Sequence, residues 1–240
     1  MRLQSVIRAI YPPQCVACDA QTEDDFGLCA ACWRDTQFIG GLVCDTCGTP
    51  LPGEDYGEAV QCDDCMTIAR PWRRGRTVLA YTGVGRRLVL GLKHGDRTDL
   101  APPAARWMVQ KIANWPLLDT VFVPVPLHWV RVARRRYNQS ALLAQEMAKL
   151  MALPVCTDAL LRPKRTNALV GHSRDARFAE LSGAIVPNPK RVDQIAGKAV
   201  ILIDDVMTSG ATLAASAEAA RAAGAADVSI VTLARVVKDV

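Results

Sequence analysis

From residue 77 onward the chain is punctuated by short apolar runs: Thr77–Tyr81, Thr120–Val125, Val200–Ile203 and Asp227–Leu233. They are rich in β-branched residues and show little polar alternation, which predicts strands buried on both faces. Between them, apolar residues recur three and four apart, the helical period. Val84–Lys93 is one such stretch. Leu100–Trp115 starts after Asp99 with two prolines in its first turn, where the missing N–H groups cost nothing. Ala141–Met151 follows Ser140 as its cap, and the alanine-rich Leu213–Ala223 stops at Gly224. Leu153–Cys156 reads as one more short strand, with Cys156 as a small buried residue. Strand followed by helix, repeated, predicts an α/β fold: a parallel sheet flanked by helices. The first 65 residues lack this rhythm. Met1–Tyr11 reads as a short amphipathic helix ended by Pro12 and Pro13. We therefore expect a small domain over residues 1–69 and an α/β domain over 70–240. A basic linker at 66–76 holds Pro71, Trp72 and Gly75. Trp72 can stack on a base or pack one domain against the next, and packing is the commoner use of such a residue.

Eight of the nine cysteines fall in the small domain, as four C-x-x-C pairs: Cys15/Cys18, Cys29/Cys32, Cys44/Cys47 and Cys62/Cys65. Two thiolates spaced in this way reach one metal from a tight turn, and two pairs complete a tetrahedral four-cysteine site suited to structural Zn²⁺. Loop closure favours joining neighbouring pairs into two zinc ribbons, Cys15, Cys18, Cys29, Cys32 and Cys44, Cys47, Cys62, Cys65. A cross-braced arrangement would join the first pair with the third and the second with the fourth. A segment so poor in large apolar residues needs the metal to fold.

Charge divides the chain in the same place. Residues 1–65 hold three basic and eleven acidic residues, a net of −8. Residues 66–240 hold 26 basic and 13 acidic, a net of +13, for +5 overall. A basic second domain suits a polyanionic ligand. No run of about 18 apolar residues predicts membrane insertion, and the apolar stretch at the N-terminus is too short for a signal peptide. A cytoplasmic protein is expected.

The densest chemistry lies at Val200–Leu213, V-I-L-I-D-D-V-M-T-S-G-A-T-L. A buried strand ends on Asp204 and Asp205. A loop of Thr208, Ser209, Gly210, Ala211 and Thr212 follows and opens a helix. Backbone N–H groups and the helix dipole at such a loop favour an anion, and Gly210 permits close approach. The carboxylates suit vicinal hydroxyls and a Mg²⁺. The strand Thr120–Val125 has a parallel arrangement: Pro124 and Pro126 end it, and a cation-rich loop with His128, Arg131, Arg134, Arg135 and Arg136 precedes the next helix. In a parallel sheet both loops leave the carboxyl edge and face one crevice. Residues Leu160–Ala184 have little periodicity and carry Arg162, Lys164, Arg165, Arg174 and Arg177. They read as a lid that excludes water from a reactive intermediate.

The stretch around Asp204 resembles the PRPP-binding motif of type I phosphoribosyltransferases. In that family the Thr-Ser-Gly-Ala-Thr loop holds the 5′-phosphate of PRPP, and the acidic pair contacts the ribose hydroxyls. The full order is four C-x-x-C pairs, V-P-V-P-L-H, R-R-R-Y-N-Q-S, a basic lid and I-D-D-V-M-T-S-G-A-T. It resembles the ComF family, double-zinc-ribbon proteins with a type I phosphoribosyltransferase-like domain, associated with uptake of transforming DNA. Val125, Pro126 and His128 match its P-V-P-L-H turn, and Arg135, Asn138 and Gln139 its R-G-F-N-Q element. Arg136 replaces the glycine and Tyr137 the phenylalanine. Arg165, Thr166 and Arg177 fall on pattern in the lid, whereas Leu169, Glu180 and Ile185 depart from it.

The resemblance implies a bacterial protein that binds PRPP with Mg²⁺ and transfers its phosphoribosyl group to an acceptor the sequence does not name. Asp204 and Asp205 would be catalytic, Thr208–Thr212 would hold the 5′-phosphate, and Val125, Pro126, His128, Arg135, Arg136, Arg165 and Arg177 would serve the diphosphate. The alternative is a non-catalytic adaptor that binds single-stranded DNA or senses PRPP, with structural zinc and with DNA-uptake proteins as partners.

Overall fold

The computed structural model describes residues 11–23, 25, 27–164 and 183–237. In chain order the strands are β1 (Gly75–Ala80), β2 (Thr120–Pro124), β3 (Leu160–Leu161), β4 (Val186–Pro187), β5 (Ala199–Met207) and β6 (Asp227–Arg235). The α-helices are α1 (Ala30–Asp35), α2 (Asp63–Thr67), α3 (Gly83–His94), α4 (Ala101–Lys111), α5 (Trp129–Arg135), α6 (Gln139–Met151) and α7 (Ala211–Ala222). The apolar runs form one four-stranded parallel sheet in the order β1-β6-β5-β2. A separate antiparallel pair joins β3 and β4.

Successive strand residues point to opposite faces, so each run supplies two cores. On one face Val121, Val123, Val200, Leu202, Val228 and Ile230 pack with α7. On the other, Phe122, Ile201, Ile203, Val231 and Leu233 pack against α3, α4 and α6. Covering both faces is why the strands carry no polar alternation. Leu202 is wholly buried, and cutting such a side chain to alanine costs about 2–5 kcal/mol. The small side chains of α7 (Ala214, Ala217, Ala220) let that helix lie close to the sheet.

The second ribbon belongs to this packing. Cys44, Cys47, Cys65 and Trp72 sit in the same core as Val228 and Ile230. Trp72 is 3% exposed, and its Nε1–H donates to the carbonyl of Thr46 at 2.7 Å. Of the two uses expected for this residue, packing is the one the structure shows. Arg235, at the end of β6, donates from Nη1 to the carbonyl of Cys47 at 2.6 Å and to its Sγ at 3.0 Å. The stretch expected as a linker is therefore a seam, in which Gly75 N–H meets Asp45 O and Arg73 N–H meets Val228 O.

Several elements differ from expectation. β5 does not stop at Ile203 but continues through both aspartates to Met207, because β6 keeps pairing with it as far as Met207↔Arg235. The expected basic loop after β2 contains the helix α5, capped by His128. The cap of α6 is Asn138, whose Oδ1 accepts from Ser140 N–H, and not Ser140 itself. Leu153–Cys156 forms only an isolated bridge, Val155 to Phe122. The N-terminal helix and most of the expected lid lie outside the described residues.

Candidate functional site

The cysteines gather in two sets, Cys15, Cys18, Cys29, Cys32 and Cys44, Cys47, Cys62, Cys65, with the sulfurs of each set within 4.8 Å of one another. Neighbouring pairs are joined, and the cross-braced arrangement is not seen. Zn–S bonds of about 2.3 Å place tetrahedral sulfurs about 3.8 Å apart. Cys18 and Cys29 Sγ lie 3.6 Å apart, and Cys47 and Cys62 Sγ 3.7 Å. Four such donors fit Zn²⁺. Within the second set, hydrogen bonds from Cys47 and Cys65 hold the Cys44 thiol low, while the same contacts push Cys65 up. A set of four thiolates leaves no open position, so this chemistry is structural.

At the carboxyl edge of the sheet, β2 and β5 run side by side with Pro124 opposite Ile203. Val125 N–H donates to Ile203 O at 2.9 Å, so the chain leaving β2 starts beside the acidic pair. Asp205 points to the α3 side and is 6% exposed; Lys93 Nζ lies 3.0 Å from its Oδ1. Asp204 Oδ1 accepts from Ser140 Oγ at 2.9 Å and from Asp205 N–H at 2.9 Å. Burial, and then the charge of Asp205, raise the Asp204 carboxyl to about 7; Lys93, Ser140 and the Asp205 N–H pull the other way. Two adjacent carboxylates within β5 offer hard oxygens that fit Mg²⁺.

Opposite the acids stands the chain after β2. Val125 is buried and its carbonyl accepts from Asn138 Nδ2 at 3.0 Å. Pro126 is buried beside it. His128 is buried and spends its Nδ1 on capping α5, accepting from Val130 N–H. Arg135 Nη1 donates to Gln139 Oε1 at 3.2 Å. Arg136 ends α5 with φ 67°, a left-handed conformation, and faces Asp96 at 3.7 Å. Tyr137 donates its hydroxyl to the carbonyl of Leu92 at 2.7 Å, tying this segment to the end of α3 that carries Lys93.

The remaining predicted loop lies between β5 and α7. Thr208 is exposed and Ser209 and Thr212 are half-buried, while Gly210 and Ala211 are buried. Gly210 caps α7 with φ 82°, a conformation that only glycine adopts readily. The first N–H groups of α7 lie at this edge, where Ala211 N–H donates to Ser209 Oγ at 3.4 Å. Arg70 reaches this loop from the seam and donates from Nη1 to Ser209 O at 3.0 Å. Lys93, Ser140 and Arg70 were not singled out as site residues by the sequence. Their partners are tertiary, and only the resemblance of their neighbours to a PRPP site could have drawn attention to them. Arg165 and Arg177 lie outside the described residues.

The profile of the double zinc ribbon domain matches residues 6–66, and that of the phosphoribosyl transferase domain matches residues 122–239. The chain is similar to DNA utilization protein YhgH of Salmonella typhi, 30% identical over 217 residues, covering 88% of this chain and 91% of the relative. It is similar to competence protein F of Haemophilus influenzae, 26% identical over 87% of this chain and 90% of the relative. Competence protein ComFC of Bacillus subtilis is 27% identical over 92% and 94%.

Proposed function

The chain belongs to the ComF family of double-zinc-ribbon, phosphoribosyltransferase-like proteins, and on that premise we propose that it binds PRPP with Mg²⁺ at the carboxyl edge of β2 and β5 and transfers the phosphoribosyl group to an acceptor. The observation that carries the reading is the junction at Val125 and Ile203, which sets a cation-bearing segment and an acidic pair against each other beside an anion-binding helix start. In this reading the loop Thr208–Thr212 takes the 5′-phosphate. Asp204 and Asp205 take the ribose hydroxyls and stabilise positive charge as the bond from C1 to the diphosphate breaks. Arg135, and the lid cations Arg165 and Arg177, receive the departing diphosphate, while Val125, Pro126 and His128 shape its turn. Mg²⁺ held beside Asp204 and Asp205 would supply charge neutralisation for the diphosphate. Lys93 holds Asp205 in place until the ribose arrives. The names of the relatives, a DNA utilization protein and two competence proteins, support a link to DNA uptake; single-stranded DNA is the partner this reading adds.

Calorimetric titration of the zinc-replete protein with PRPP and Mg²⁺ tests this, alongside an Asp204→Asn, Asp205→Asn variant. Saturable binding that the variant loses is expected, and diphosphate release on adding bases, amines or nucleic acid then identifies the acceptor. A folded wild type that binds no PRPP sinks the proposal.

A second reading, a single-stranded nucleic-acid binder without turnover, is favoured by Trp129. This ring is 70% exposed at the start of α5, which also carries Arg131, Arg134 and Arg135. An open aromatic among cations is a stacking platform. Single-strand affinity that falls steeply with salt and drops in Trp129→Ala supports it; salt-independent or absent binding refutes it. Among the described residues no helix is long and apolar enough to cross a membrane.

A further inference from the structure

We propose that Arg70 is a positioning residue for the 5′-phosphate loop, and that it passes the state of the second zinc cluster to that loop. The proposal rests on the PRPP reading above and adds a component that neither the acidic pair nor the loop sequence contains. Arg70 lies five residues past Cys65, the last ligand of the second set, and five before β1. Its Nη1 donates to Ser209 O at 3.0 Å.

That bond fixes a direction. The peptide joining Ser209 to Gly210 is trans, as are all peptides among the described residues. In a trans peptide the C=O and the following N–H point opposite ways. Holding the Ser209 carbonyl toward the seam turns the Gly210 N–H away from it, to the side where the proposal puts the phosphate at the start of α7. A loop free to rotate this peptide would present a carbonyl to the phosphate, with repulsion in place of a hydrogen bond.

Arg70 is itself held. Its guanidinium lies 5.3 Å from the centre of the Trp72 ring, a cation–π contact. Trp72 is fixed by its bond to Thr46 O, inside the Cys44–Cys47 turn of the second cluster. The parts are packed without slack. A Cβ on Gly210 would come 2.8 Å from Met207 Cε, 3.0 Å from Arg70 Nη1 and 3.3 Å from the Trp72 ring. From the other side of the seam, Arg221 of α7 donates to Pro71 O at 2.8 Å. The path from zinc to phosphate is thus Cys44–Cys47 turn, Thr46, Trp72, Arg70, Ser209. The first cluster has no part in it.

The test compares Arg70→Ala, Arg70→Lys, Cys62→Ser and Cys18→Ser with wild type, each shown to be folded by circular dichroism. Two readouts are taken: calorimetric affinity for Mg-PRPP and for Mg-diphosphate, and amide exchange in the peptide spanning residues 207–213 without ligand. Arg70→Ala should weaken PRPP about tenfold, the loss of one charged hydrogen bond, leave diphosphate unchanged and speed loop exchange. Arg70→Lys keeps a donor and should recover part of both. Cys62→Ser should speed loop exchange as Arg70→Ala does, whereas Cys18→Ser, which disrupts the first cluster, should leave exchange in 207–213 unchanged. Unchanged loop exchange in Arg70→Ala overturns the proposal, as does equal loss from both zinc clusters. If wild type binds no PRPP, the PRPP reading fails by itself, and loop exchange still judges the role of Arg70.

Discussion

Asp204→Asn should change how stability depends on pH, in a direction set by where the carboxyl sits. In the fold, burial and the neighbouring Asp205 charge raise Asp204 from 3.8 to about 7, against Lys93, Ser140 Oγ and the Asp205 N–H; the guanidinium of Arg162 also faces it. A raised carboxyl binds its proton more tightly in the folded chain than in the unfolded one. Its contribution is therefore fully present below pH 3.8. It declines as pH rises, because the unfolded chain ionises first, and it is spent once pH passes about 7. Every tenfold gain in proton affinity on folding is worth about 1.4 kcal/mol, so between pH 5 and pH 8 this one group removes about 2–3 kcal/mol from the wild type. Asparagine has no such titration. The assay is urea unfolding of both proteins at pH 5 and pH 8, at constant ionic strength with zinc present. Protonation of zinc-bound thiols at low pH affects both proteins and cancels in the comparison. The asparagine is not itself a better side chain at every pH, so only the change in the difference matters: the variant should gain about 2–3 kcal/mol on the wild type from pH 5 to pH 8, roughly 1 M in midpoint. Parallel pH profiles would refute the argument, and with it the raised position of the Asp204 carboxyl.

Arg136→Gly should stabilise the protein by about 0.5–1 kcal/mol in thermal unfolding, since glycine relieves the left-handed backbone and the exposed pair with Asp96 contributes little; a lower melting temperature would count against it. Gly75→Ala should cost roughly 2–3 kcal/mol, because the added Cβ would meet Thr46 O at 2.6 Å and the Ile230 side chain at 2.7 Å; equilibrium urea unfolding reads this directly, and a neutral result would mean that the seam yields. Elemental analysis should find two zinc ions per chain and one in Cys62→Ser, whose loss should also lower the unfolding midpoint of the sheet because Cys44, Cys47 and Cys65 line its core; an unchanged midpoint would separate the cluster from that core.

Much of the sheet was readable because its strands are buried on both faces. Thr77–Tyr81 and Thr120–Val125 announce themselves without any tertiary knowledge. The pairing of cysteines was readable for a different reason, since short loops close more easily than long ones. Where reading failed, a polar residue was doing a structural task. Asp204 and Asp205 look like the end of a strand, yet β6 goes on pairing with β5 beyond them. The helix α5 is hidden because its valines, Val130 and Val132, are two apart and its other positions are mostly cations, so no helical stripe shows. Asn138 and Ser140 are both good caps, and only the geometry chooses Asn138 and frees the Ser140 hydroxyl for Asp204. The ion pair of Lys93 with Asp205, and the reach of Arg70 to Ser209 across 139 positions of sequence, leave no local trace at all. Arg136 is a middle case: it stands where the resemblance expects a glycine, and its φ of 67° is a conformation glycine adopts readily.

The strand order has a consequence for synthesis. β6 is the last of the six strands to leave the ribosome, yet it lies in the interior of the sheet and is the strand that joins β1 to the rest. Until residues 227–235 emerge, β1 has no strand to pair with, and the Cys47 turn waits for Arg235, 188 positions downstream. Contacts of such long sequence separation form late and slowly. The nascent chain can therefore load its metals early but holds an unpaired strand edge until β6 has emerged, the condition in which chains aggregate or recruit chaperones. A stop codon anywhere between β5 and β6 would leave β1 apart from the β5–β2 pair and the Cys47 turn without Arg235.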